Sequence, residues 1–152
     1  MTPLEKKVIE RLTGRTRRTP VGGYAIRVIN GTGADSVKGS VVAGSTAEDN
    51  TVRLCPANAV VPFGVMLEDG IPDGELCWVV VTGIADVLLK DTASATRGYW
   101  VGMSDVDGRA YTAFHTGTTP PEQATHNLEI GHCSETKAAG TDVLVKCILH
   151  FN

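Results

Sequence analysis

Apolar and polar residues along this chain alternate in short bursts, and the bursts recur. Residues 24–30 place Tyr24, Ile26 and Val28 on one face, the period of a half-buried strand. Runs of β-forming residues follow at 37–42, 52–55, 63–68, 76–82, 85–89, 99–103, 110–114, 128–133 and 143–151. Turn formers separate them: Asn30-Gly31, Glu48-Asp49-Asn50, Pro72-Asp73-Gly74, Asp105 to Gly108, and Ala138-Ala139-Gly140. Asp107-Gly108 between two such runs is the sharpest hairpin signal. Many short strands with 17 glycines predict an all-β fold, a small β-barrel or sandwich. Residues 116–125, with Pro120-Pro121, read as a long surface loop.

Two stretches echo one another. Residues 63–81 read FGVMLEDGIPDGELCWVVV, and residues 130–148 read IGHCSETKAAGTDVLVKCI. Each opens on an apolar residue and a Gly (Phe63-Gly64, Ile130-Gly131). Each has a Glu four residues after that Gly (Glu68, Glu135), then a turn ending in Gly (Gly74, Gly140), then β-formers. A strand–turn–strand unit is expected twice. The second strands, 76–81 and 143–149, are nearly continuous apolar runs, which implies cover on both faces. The second cover is either a neighbouring subunit or partner, or none is needed because Trp78 and Lys146 stand outward on a solvated face.

The first residues have a different period. Leu4, Val8, Ile9 and Leu12 fall on one helical face, with Thr2, Pro3 and Glu5 as start signals and Gly14 as a stop. A helix of about ten residues is marginal alone in water and needs a surface to lie on. Residues 15–20 read as a basic linker. Charge marks the same segment. Residues 1–18 hold six basic and two acidic residues, a net of +4, while the rest of the chain carries −7. A basic amphipathic arm on an acidic body suits contact with an acidic surface. The expected division is an N-terminal arm over 1–35 (short helix, linker, one strand) and a β-body over 36–152.

Candidate chemistry is sparse. His115, His126, His132 and His150 match no short metal-ligand spacing, and His132 and Cys133, adjacent on a strand, point to opposite faces. They read as scattered histidines, so no metal is expected. The acids Glu68-Asp69, Asp73-Glu75, Asp105 and Asp107 read as turn chemistry. No GxSxG or phosphate-binding GK[ST] motif occurs, and no catalytic residue or cofactor is expected. The basic stretch lacks interleaved aromatics, so no specific nucleic-acid binding is expected. Four cysteines without CxxC spacing read as buried free thiols. No stretch approaches the roughly 18 apolar residues of a membrane span, and no secretory signal is recognisable. A reducing cytoplasm, or a particle assembled there, is the expected setting.

The phrases VKGSVV (37–42), VPFGVMLEDGIPDGELCWVVVTGIADVLL (61–89), RGYWVGMSDVDGRAY (97–111) and NLEIGHCSETKAAGTDVLVKCIL (127–149) together resemble the small capsid decoration, or cement, proteins of tailed bacteriophages. The resemblance covers about three-quarters of the chain and excludes the first 35 residues. It implies a non-enzymatic structural protein, a homo-oligomer and often a trimer. Such a protein sits on the outer surface of the virion head and bridges neighbouring copies of the major capsid protein. On that reading Leu4, Val8, Ile9 and Leu12 supply apolar docking, and Arg11, Arg15, Arg17 and Arg18 polar anchoring. A phage tail, baseplate or host-binding β module is the alternative.

Overall fold

The computed structural model describes residues 2–3, 15–113 and 123–151. The expected helix with Leu4, Val8, Ile9, Arg11 and Leu12, together with His115 and most of the 116–125 loop, lies outside the described residues. Ten strands form one sheet: β1 (Thr16–Arg18), β2 (Gly23–Asn30), β3 (Val41–Gly44), β4 (Thr51–Leu54), β5 (Gly64–Met66), β6 (Leu76–Leu88), β7 (Trp100–Met103), β8 (Ala110–Ala113), β9 (Glu129–Cys133) and β10 (Leu144–Leu149). A one-turn helix, α1 (Gln123–His126), precedes β9. The fold is all-β, as the periodicity requires.

Pairings run in the order β1-β2-β4-β3-β5-β6-β10-β9-β7-β8, with a further β2–β6 pairing. That pairing closes a ring through β2, β4, β3, β5 and β6. A second ring runs through β6, β10, β9, β7 and β8, and a bridge from Leu89 to Ala110 closes it. Closure removes most free edges. Both halves of the echo are antiparallel hairpins, β5–β6 with Val65 opposite Val80 and β9–β10 with Cys133 opposite Cys147. Each hairpin serves a different ring.

The two runs expected at 76–82 and 85–89 are one thirteen-residue strand, β6. Gly83 read as a break, but it is a point of close contact. Residues Leu76 to Gly83 pair with β2, and Gly83 to Leu88 pair with β10. Gly83 has φ +80° and faces Gly23 across the sheet; a Cβ there would stand 2.6 Å from the Gly22 carbonyl oxygen.

The core has two clusters. Val42, Val52, Met66, Cys77 and Val79 make the smaller. Their neighbours along the same strands, Val41, Ala43, Val65 and Val80, join Val87, Leu89, Val101, Met103, Ile130 and Val145 in the larger. β3, β5 and residues 77–80 of β6 thus find cover on both faces within their own chain, while β2 is only half-buried over residues 26–29. Of the two alternatives left open for the second face of residues 76–81, cover by a neighbouring subunit is not required. On β10 the alternation is regular: Val145, Cys147 and Leu149 are buried, while Lys146 pairs with Asp86 at 3.3 Å and Ile148 is exposed.

Two further expectations change. The basic linker over 15–20 is in fact strand β1 and its turn. The strand expected at 37–42 begins only at Val41, because Gly39 at φ +82° packs against the backbone of Leu88.

All four cysteines are free and buried. Burial pushes the Cys55 and Cys77 thiols up to about 11, from an ordinary value of 9.0. Cys147 is also raised, first by its hydrogen bond to the Cys133 sulfur and then by burial; the same bond lowers Cys133. For Cys55 and Cys77 the unfolded chain loses protons between pH 9 and 11 that the folded chain retains. Stability should therefore be complete below pH 9 and fall as pH rises, by up to about 1.4 kcal/mol per pH unit per thiol. Urea midpoints of the wild type and a Cys55→Ala/Cys77→Ala variant between pH 8.5 and 10.5 check this: the variant should show a visibly shallower decline.

Candidate docking surface

Of the residues expected to dock a partner, Arg15, Arg17 and Arg18 are described, and all belong to the root of the arm. β1 pairs antiparallel with β2, placing Thr16 opposite Ile26 and Arg18 opposite Tyr24. The Arg27 amide donates to the Arg15 carbonyl at 2.9 Å. The Thr19-Pro20-Val21-Gly22 turn joins the strands: Pro20 suits the second turn position, and Gly22 takes φ +99°. Thr19 locks the turn by accepting from the Gly23 amide through Oγ1 at 2.9 Å. All three β1 residues are exposed. Among the described residues the strand is an edge of the sheet.

Arg17 turns back onto its own chain. Its guanidinium lies 4.8 Å from the Trp78 ring centroid and 3.5 Å from Glu68 Oε1. Arg27, opposite Trp78 across β2–β6, reaches the same ring at 5.7 Å. The outward face of Trp78 is therefore covered by two cations. The Arg17–Glu68 pair is exposed on both sides and is worth at most about 1 kcal/mol. Among the described residues Arg15 and Arg18 make no ion pair.

Beside β1 runs a cleft of about 280 Å³. Met66, Val80 and Ala85 give it an apolar floor, and Arg17, Lys38, Glu68 and Asp86 a charged rim. Asp86 accepts from both Lys38, at 3.4 Å, and Lys146, at 3.3 Å. Val21, which also lines the cleft, and Tyr24 on β2 are both exposed.

The acids sit in turns, as expected, but three of them bond across to other loops instead of within their own. Asp69 Oδ1 accepts from the Lys38 amide at 2.7 Å, Asp73 Oδ1 from the Gly33 amide at 2.9 Å, and Asp107 Oδ1 from the Ala57 amide at 2.8 Å. Asp105 pairs with Lys90 at 3.0 Å, and the hydrogen bond from that ammonium lowers its pKa. The Asp107-Gly108 hairpin forms between β7 and β8, with Gly108 at φ +69°.

The histidines are not scattered. His126, His132 and His150 gather around Glu129, on the side of the second ring. Spacing could not show this, because a β-bulge makes it. On β7 one step separates Val101 from Gly102, while their β9 partners Gly131 and Glu129 are two apart. The extra residue is Ile130. It brings Glu129 and His132, which a regular strand would place on opposite faces, to one side. Cys133 points away into the core, as expected.

No protein-family model and no curated protein matches the chain. Among solved structures its fold is similar to the head fiber gp8.5 N base of bacteriophage phi29. The match has a TM-score of 0.56 and covers 83% of this chain and 92% of that one, at 16% sequence identity. The chain shares the all-β architecture of that fibre base.

Proposed function

We propose that this chain is a structural protein of a tailed-phage virion, bound as a homo-oligomer, with a trimer favoured, to the outside of the head. There it acts as a cement between copies of the major capsid protein. The observation that carries the reading is the fold shared with a phage head-fibre base, which agrees with the cement-protein resemblance of residues 37–149. The closed double ring supports it, since a stiff body loses little entropy on docking. The exposed β1 edge supports it too, because an edge with Arg15 and Arg18 beside it offers strand addition and charge contact to an acidic seam. The two ends of the arm have different tasks: Arg17 anchors it to its own body, and the apolar positions Leu4, Val8, Ile9 and Leu12, with Arg11, grip the shell.

Co-sedimentation with expanded, DNA-free heads tests this. The full chain should bind saturably. Deleting residues 1–14 leaves β1 and its pairing in place and should weaken binding by at least about tenfold, equivalent to roughly 1.4 kcal/mol. Unchanged binding would remove the arm from the mechanism, and no binding by the full chain would remove the cement role.

The similar structure is the base of a fibre, and this favours one further reading, in which the chain anchors a fibre to the head. Antibody labelling of intact virions separates the readings. Uniform head label fits cement, label at sparse points with emerging fibres fits a base, and label on the tail fits the tail-module alternative.

A further inference from the structure

Docking on a phage head leaves the Glu129 cluster without a role. Glu129 is 2% exposed, and neither of its carboxylate oxygens receives an aligned hydrogen bond among the described residues. An acid buried in that state is costly unless a cation or donor meets it. Three imidazoles surround it, with ring nitrogens 2.9, 3.1 and 3.6 Å from its oxygens. His150 Nε2 lies 3.1 Å from Glu129 Oε1 and 2.9 Å from His132 Nδ1. The ligand atoms of Glu129, His132 and His150 all fall within 4.8 Å of one another. His126 Nδ1 stands 2.9 Å from the other oxygen, Oε2.

We propose that Glu129, His132 and His150 form a binding site for a divalent transition-metal ion of zinc type. Ligands at the usual 2.0–2.1 Å from a tetrahedral zinc stand about 3.3–3.4 Å from each other, a few tenths of an ångström more than the two shorter separations here. Two imidazoles and one carboxylate suit a borderline-soft ion, whereas magnesium and calcium prefer all-oxygen sets. One cation at the centre would satisfy the buried acid and take the place of the hydrogen bond between the His132 and His150 rings. His126 acts one step out, turning the carboxylate by its second oxygen. Trp100 steadies the rings, with its centroid 5.3 Å from His126 and 5.7 Å, edge-on, from His132. The ligands come from β9 and from the residue just past β10, so the ion would clamp the C-terminal strand to its neighbour. Three protein donors leave the remaining position to water. The site uses none of the residues proposed for docking, so its test and that of the proposed function can fail separately.

The test is calorimetric titration of the metal-free full chain with zinc chloride, with and without excess magnesium chloride. One zinc per chain is expected, undisturbed by magnesium. His132→Ala and His150→Ala, both at partly exposed positions that tolerate truncation, should each weaken binding more than about 100-fold, and His126→Ala only about tenfold. Zinc should also shift the imidazole NMR resonances of His132 and His150 in the wild type. Absence of saturable binding would overturn the site. So would zinc uptake that survives His150→Ala, which would mark capture by surface donors elsewhere.

Discussion

Asn30→Ala should lower the unfolding free energy by about 2–4 kcal/mol. Asn30 is fully buried at the end of β2, and all four of its side-chain bonding positions are used. Its Nδ2 donates to the carbonyls of Ala34 at 2.9 Å and Ile71 at 2.8 Å. Its Oδ1 accepts from the Thr32 amide at 3.0 Å and the Thr32 hydroxyl at 2.8 Å. Its backbone meets Glu75 and Gly74. One amide thus ties the loop after β2 to the turn before β6. Alanine would remove all four bonds and leave the Thr32 amide without its acceptor, while the Ile71 carbonyl keeps the Ser36 amide and the Ala34 carbonyl the Thr32 hydroxyl; each lost bond is worth about 0.5–1.5 kcal/mol. Asn30→Asp separates the donors from the acceptor, since a carboxylate accepts but cannot donate to Ala34 and Ile71. It should also be strongly destabilising in urea titrations. A midpoint for Asn30→Asp close to wild type would mean that the two donor contacts contribute little.

Gly83→Ala should cost at least about 3 kcal/mol, through two separable terms. The first is the left-handed backbone, worth about 1–2 kcal/mol for a residue with a Cβ. The second is overlap: the new methyl would meet the Gly22 carbonyl oxygen at 2.6 Å and the Gly23 Cα at 3.0 Å. Both are backbone atoms that cannot rotate away, so β2 and β6 would have to part. Gly70 supplies the control. It has φ +79°, and a methyl added there would meet nothing within 4 Å, so Gly70→Ala carries the first term alone. Thermal melts should show Gly83→Ala losing several degrees more than Gly70→Ala. Equal losses would leave backbone strain as the whole cause.

These two positions show what was legible in the sequence and what was not. Most strand positions followed from runs of β-formers, the two echoed hairpins from the turns ending in Gly74 and Gly140, and the β7–β8 hairpin from Asp107-Gly108, because those signals are local. Asn30-Gly31 read as a turn, but the role of Asn30 depends on Ile71, forty-one residues away. Gly83 read as a break between two strands. Only the partner strand, which brings Gly23 opposite, shows why a glycine is needed without interrupting the ladder. β1 was missed because Thr16-Arg17-Arg18 is short and charged, and an edge strand needs no apolar face. The histidine cluster was missed because a bulge shifts the register, and alternation rules fail at bulges. The docking residues of the arm were read from helical spacing, and Arg17 is the one whose described contacts turn inward to its own Trp78 and Glu68.

β6 belongs to both rings at once, with its first half in one and its second half in the other. Neither ring can lose β6 without the other losing it as well. Damage at one end of the molecule is therefore felt at the other, and the smallest piece that can hold its shape is the whole double ring. A tug applied where the arm leaves β1 passes through β2 into that common stave and is shared between the two halves.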